Sequence, residues 1–279
     1  MKDITYIVPS KNDSYDPQNL DKLILSINTN VQQLIDQKLD VETILIDWCS
    51  TIHLHTLDRI KNEIKVPINH IYVDKSLLEN DGLNVERYYE YFAKNVGIRR
   101  ANNKYVLIEN SDIVNDEDLS KSISKMINNE VNNVYGRPTI RVNVWYPNID
   151  EYTHYNKIDE FPLGDCTPGD FMLSTKENWI KTQGYDETNE GHRGSKRQTN
   201  MDVEMLFQFN KLGMPVYFLE GYYRHMDHER GGLTADQQFG ESACTRNTSG
   251  YTNRPTWGFT DATIEVKDEV KILYYEKSQ

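Results

Sequence analysis

The chain is predicted to fold as an α/β protein with a mostly parallel sheet flanked by helices, and three observations carry that expectation. Short apolar, β-branched runs alternate with segments of helical period along the first half of the chain. Those runs stop abruptly at polar residues, namely Pro9-Ser10, Asp47 and Asn110-Ser111-Asp112. Hydrophobic residues make up only 38% of the 279, yet the 11% that are aromatic supply a core.

Residues 4–8 form the first such run, closed by Pro9-Ser10, and residues 11–17 read as a polar loop. Leu20, Leu23, Ile24, Ile27, Val31, Leu34 and Ile35 then recur at helical spacing. A second buried strand, 41–46, ends in Asp47-Trp48-Cys49-Ser50. A helix over 54–64 and a strand over 68–73 follow. After a polar stretch containing Lys75, a Tyr-rich helix is expected over 84–100, then a turn at Asn102-Asn103 and a strand over 105–108.

The second half is less regular. It reads as a helix over 119–129, strands over 134–136 and 139–145 joined by a turn, and an irregular polar stretch to 168. A strand at 169–174 and a helix at 176–182 come next, then a mobile Gly-rich basic loop over 190–199. A helix over 201–212 and a strand over 216–219 lead into Arg224-His225-Met226-Asp227-His228. Residues 231–258 look lid-like, and 263–275 suit an edge hairpin. With no internal repeat and no linker, one domain is expected, its parts being 1–115, 116–230 and an extension at 231–279.

A net charge of −12 opposes nucleic acid and anionic membranes as partners, since both carry the same sign. Cys49, Cys166 and Cys244 are too few and too scattered for a disulfide framework or a zinc site. The N-terminus runs straight into a strand, and no apolar run approaches the roughly 20 residues that span a bilayer. A soluble, cytoplasmic protein is expected.

Ligands of open α/β sheets bind past the carboxyl ends of the strands. Asp112, with Asn110 beside it, stands there and suits a hard divalent cation that also holds phosphate oxygens; a helix cap is the alternative. Asp47 ends the second strand on the same edge, as a ribose or base contact or as another cap. Pro9, Ser10, Lys75, Asn95 and Arg99 complete the candidate nucleotide contacts, Arg99 being equally an exposed partner of an acidic neighbour. His225 and His228, with Asp227, offer imidazole and carboxylate donors, and sharing one ion between Asp112 and one histidine is the economical arrangement. Asp202 and Glu204 open a helix, where the dipole favours acids; a carboxylate there could also serve as a general base.

Taken together, these stretches resemble the GT-A-fold, nucleotide-sugar-dependent glycosyltransferases. Ile7-Val-Pro-Ser-Lys-Asn, Ile46-Asp-Trp-Cys-Ser, Asn95-Val-Gly-Ile-Arg-Arg-Ala and Asn110-Ser-Asp are similar to the family-2 pattern. Gly169-Asp-Phe-Met-Leu-Ser, residues 179–187, Asp202-Val-Glu, Leu212-Gly213 and Arg224-His225 look like the C-terminal part of β-1,4-galactosyltransferases, chondroitin-polymerase-like enzymes and polypeptide N-acetylgalactosaminyltransferases. The resemblance implies a UDP-sugar donor, a manganese or magnesium ion held by Asp112 and His225, Asp202 as the base of an inverting transfer, and a glycan or glycoprotein acceptor. Pro9, Asp47 and Arg99 match uridine-nucleotide contacts. Asn110 stands where the family's DxD motif has its first acid, and residues 196–201 replace its Trp-Gly-Gly-Glu lead-in.

Overall fold

The computed structural model describes residues 3–12, 17–52, 58–131, 134–135, 141–144, 171–188, 204–205, 208–209, 211–214, 216–217, 219–226 and 251–275. The elements in chain order are β1 (Ile4–Ser10), α1 (Asn19–Asp36), β2 (Val41–Trp48), α2 (Asp58–Glu63), β3 (Asn69–Val73), α3 (Lys75–Asn80), α4 (Glu90–Arg100), β4 (Tyr105–Glu109), β5 (Ile113–Asn115) and α5 (Glu117–Asn128). They continue with β6 (Val134–Tyr135), β7 (Arg141–Val144), β8 (Phe171–Thr175), α6 (Lys176–Thr182), β9 (Val216–Tyr217), β10 (Tyr223–Met226), β11 (Thr263–Lys267) and β12 (Val270–Tyr274).

The main sheet has the order β11-β12-β3-β2-β1-β4-β8-β6-β9. Its centre, β12, β3, β2, β1 and β4, is parallel, while β8 runs antiparallel to both β4 and β6. The predicted α/β class, with a mostly parallel sheet between helices, is what the chain adopts. Every residue of β1 is buried, as expected of a strand covered on both faces. Its side chains alternate. Ile4, Tyr6 and Val8 pack with Leu23, Ile27 and Val31 of α1 and with Leu119 and Ile123 of α5. Ile7 faces the other layer, built from α3, α4, Trp179 of α6 and residues 251–259. There α4 lies so close that a Cβ on Gly97 would stand 2.5 Å from Ile7 Cγ2.

A second sheet, β5-β10-β7, sits beside the end of β4. Strand β6 joins the large sheet and β7 the small one, and the turn expected between these strands lies outside the described residues. The helix expected from residue 84 begins at Glu90, and a separate α3 precedes it. Asp74 caps α3 by accepting from Ser76 N at 2.8 Å, and Gly82 at φ +71° turns the chain before α4 can start. Of the stretch read as lid-like, residues 251–258 are described. Tyr251, Trp257 and Phe259 are buried in the α4 layer. The hairpin expected at 263–275 forms, and β12 extends the sheet beside β3. Among the described residues no helix is long and apolar enough to cross a membrane.

Candidate active site

Strands β2, β1 and β4 lie side by side and parallel, so their carboxyl ends open onto one edge. At that edge Ser10 is paired with Asp47. Asn19, the first residue of α1, links the ends of β1 and β4. Its Nδ2 donates to Ser10 Oγ at 3.1 Å and to Lys11 O at 3.2 Å, while its Oδ1 accepts from Ser111 Oγ at 3.3 Å. Among the described residues no side chain caps the N-terminus of α1, which opens at this edge.

Asp112 follows β4 in the turn to β5. Strand β10 pairs antiparallel with β5, setting His225 opposite Ile113. Met226 N donates to Asp112 O at 2.8 Å, and His225 Nε2 lies 3.1 Å from Asp112 Oδ2. Both side chains are largely buried, at 8% and 14% exposure. The structure thus brings together the carboxylate and imidazole that the sequence singles out. Among the described residues no cluster of three or more His, Cys, Asp or Glu has metal-binding geometry. Asp202, Asp227, His228 and the loop at 190–199 lie outside the described residues. Glu204 is buried.

Asp47 is fully buried. Its Oδ1 accepts from Ser50 Oγ, whose oxygen in turn accepts from Asn12 N at 2.7 Å, and its Oδ2 lies 3.6 Å from His70 Nε2. Asp47 therefore ties together the loops that follow β1 and β2. Pro9 is buried within β1. Lys75, exposed at the start of α3, reaches the same edge, but beyond β3 it stands three strand spacings from β4, roughly 14 Å. Asn110 is half-buried in the turn beside Asp112.

Asn95 and Arg99 do not converge on this crevice. Asn95 is fully buried, donating to Tyr185 O at 2.9 Å and Glu187 Oε1 at 2.8 Å and accepting from Tyr185 N at 2.8 Å. Its amide is used in joining α4 to the segment after α6. Helix α4 runs against β1, so its C-terminus reaches the opposite edge of the sheet. There Asn102 N donates to Glu42 Oε2 at 2.9 Å, near the starts of β1 and β2. One turn above, Arg99 lays its guanidinium 4.7 Å from the Trp257 ring centroid. Burial lowers its pKa, against the pull of Glu187.

Sequence reasoning passed over Glu109, the last residue of β4, which is fully buried. Its Oε2 accepts from Asn30 Nδ2 at 2.8 Å and its Oε1 from Asn115 Nδ2 at 2.7 Å. Burial pushes its pKa up to about 7, while its partners Asn115, Tyr6 and Asn30, all neutral, pull it down. The available signal was an acid closing an otherwise apolar buried strand, together with Asn30 on the apolar face of α1.

The chain matches no protein-family model and no curated protein. Among solved structures it is similar to S. aureus TarS. The structure of TarS residues 1–349 in complex with UDP-GlcNAc is 16% identical, covering 82% of this chain and 59% of that one at a TM-score of 0.48. The complex of the same fragment with UDP is 15% identical, covering 81% and 61% at 0.49. A further TarS structure is 14% identical, covering 81% of this chain and 37% of that one at 0.47. The chain spans about six tenths of the length of the 1–349 fragments.

Proposed function

We propose that the protein is a glycosyltransferase that takes a UDP-sugar and passes its hexose or N-acetylhexosamine to a hydroxyl of a glycan or glycoprotein. The observation that carries this reading is the meeting of Asp112 and His225, 3.1 Å apart, at the carboxyl edge of parallel strands. One carboxylate and one imidazole at such an edge suit a divalent cation whose other ligands are diphosphate oxygens and water. Asp112 and His225 would hold manganese or magnesium, which supplies neutralisation of the negative charge on the departing UDP.

The remaining work falls to the chain itself. The N-terminus of α1 and the hydroxyl of Ser10 bind phosphate oxygens with Asn110 beside them, and Lys75 reaches toward them from beyond β3. Asp47, by holding the loops after β1 and β2, shapes the floor for the nucleoside, with Pro9 beneath. Asp202 takes the proton of the acceptor hydroxyl as that oxygen attacks the anomeric carbon, and the sugar configuration inverts. A positioned base of this kind is worth about 10²–10⁴-fold in rate. In this reading residues 1–115 handle the nucleotide and residues 116–230 the acceptor.

A second reading, a nucleotide- or carbohydrate-binding protein without turnover, draws on Asn110 standing in place of the first acid of the DxD position and on residues 196–201 replacing the Trp-Gly-Gly-Glu lead-in. One experiment separates the two. The protein is incubated with a panel of UDP-sugars, UDP-GlcNAc included, with and without manganese, and both UDP release and thermal shift are read. A manganese-dependent shift with slow UDP release is expected. A shift without release supports the binding protein, and neither signal rejects both readings.

A further inference from the structure

The turn that carries Asp112 is closed from beneath by a buried carboxylate outside the candidate ligand set. Glu109 ends β4 on one side of the turn, and Asn115 ends β5 on the other. The Glu109 carboxylate bridges them, accepting at Oε1 from Asn115 Nδ2 (2.7 Å) and at Oε2 from Asn30 Nδ2 (2.8 Å). Asn30 closes the ring, since its Oδ1 accepts from Asn115 N at 2.9 Å and its Nδ2 also reaches Ile113 O at 3.0 Å. Three buried side chains from α1, β4 and β5 thus hold both ends of a segment whose middle is Asn110-Ser111-Asp112. The same β5 backbone sets the register of β10, and with it His225.

We propose that Glu109 is a positioning residue for the Asp112–His225 pair, fixing the turn so that carboxylate and imidazole meet without the help of a ligand. The inference rests on the reading of that pair as the cation and diphosphate site. A buried acid with neutral partners is costly where a leucine would pack without penalty. What the acid supplies, and leucine does not, is two acceptor oxygens aimed at two strands. Groups that orient the ligands of a metal site typically change its affinity by 10–100-fold when removed.

Glutamine is the informative control. Asn115 Oδ1 is buried with no hydrogen-bond partner among the described residues, so the Asn115 amide can turn over and accept from a glutamine Nε2. Glu109→Gln therefore keeps the ring, and Glu109→Leu breaks it. The test compares wild type, Glu109→Gln, Glu109→Leu and Asn115→Ala by hydrogen–deuterium exchange over residues 110–115 and by calorimetric titration with manganese and UDP together. In Glu109→Leu, faster exchange confined to 110–115 and a loss of roughly 10- to 100-fold in manganese–UDP affinity are expected, with Glu109→Gln close to wild type. Asn115→Ala, which removes one arm, is expected to fall between, and it decides the matter should the leucine variant not fold. Exchange at 110–115 unchanged in the altered proteins, or raised equally across the whole sheet, overturns the proposal. Absence of manganese–UDP binding by the wild type rejects the functional reading instead, and the exchange comparison still decides the role of Glu109.

Discussion

His225 Nε2 stands 3.1 Å from Asp112 Oδ2, although the two residues come from distant parts of the chain. Their contact is produced by backbone pairing. Strand β10 lies antiparallel to β5, and Met226 N donates to Asp112 O at 2.8 Å. Removing either side chain should therefore leave the fold intact and disable the site. Asp112→Ala and His225→Ala are each expected to lower manganese–UDP affinity at least tenfold, with losses that do not add in the double variant because the groups share one ligand. Calorimetric titration of the four proteins checks this, and additive losses would mean that the pair does not act as a unit.

Asp202 is expected to matter for the chemical step alone. Asp202→Asn should keep the manganese–UDP affinity of the wild type and lose about 10²–10⁴-fold in transfer. Single-turnover transfer from a radiolabelled UDP-sugar measures the second quantity, and unchanged transfer removes Asp202 from the mechanism.

Asn95 and Arg99 should separate from the site in a binding experiment. Arg99→Ala gives up a cation–π contact with Trp257 worth about 1 kcal/mol, and UDP affinity is expected to stay within about twofold of wild type. Asn95→Ala leaves the buried Glu187 carboxylate and the Tyr185 backbone short of partners. It should cost about 2–4 kcal/mol of stability in urea. A large loss of UDP affinity in Arg99→Ala would contradict its placement at the far edge.

Glu187 makes stability depend on pH. Its Oε1 accepts from Asn95 Nδ2 at 2.8 Å and Gly258 N at 2.9 Å, yet burial outweighs these bonds and raises its pKa from 4.5 to about 7. A carboxyl whose pKa rises on folding is tolerated best when protonated. Its contribution is thus fully present below about pH 4.5 and is lost as pH climbs through about 7. The shift corresponds to at most about 3 kcal/mol. Urea unfolding of wild type and Glu187→Gln at pH 5 and pH 8 should give a wild-type advantage that shrinks on going to pH 8. An advantage that grows instead reverses the assignment.

Much of the architecture was legible in the residues. Short apolar, β-branched runs and helical periods located β1, α1, β2, β3, β4, α5, α6 and the terminal hairpin, because a strand covered on both faces is apolar throughout and burial of one helix face imposes its period locally. The polar residues after the apolar runs were legible too, although β1 and β2 continue, still buried, through Ser10 and Trp48 rather than stopping at residues 8 and 46. The split of the segment before Glu90 was harder to see, because aromatic residues at 88–92 continue the helical pattern past the turn at Gly82.

By itself, then, the sequence nominated Asp47 and Asp112 as acids following apolar strands and His225 as an imidazole donor beyond the last of them. Only the tertiary structure decided which of the nominees meet. Sheet order and helix direction carried Arg99 to the far edge and enclosed Asn95, while the β5–β10 pairing drew His225 onto Asp112. The same long-range pairing turned Glu109, one more polar letter at the end of β4, into the bridge beneath the site. The physical reason is that local periodicity reports only the face a side chain occupies. Contact between distant segments depends on strand register and crossing direction, which are set by the packing of the whole sheet.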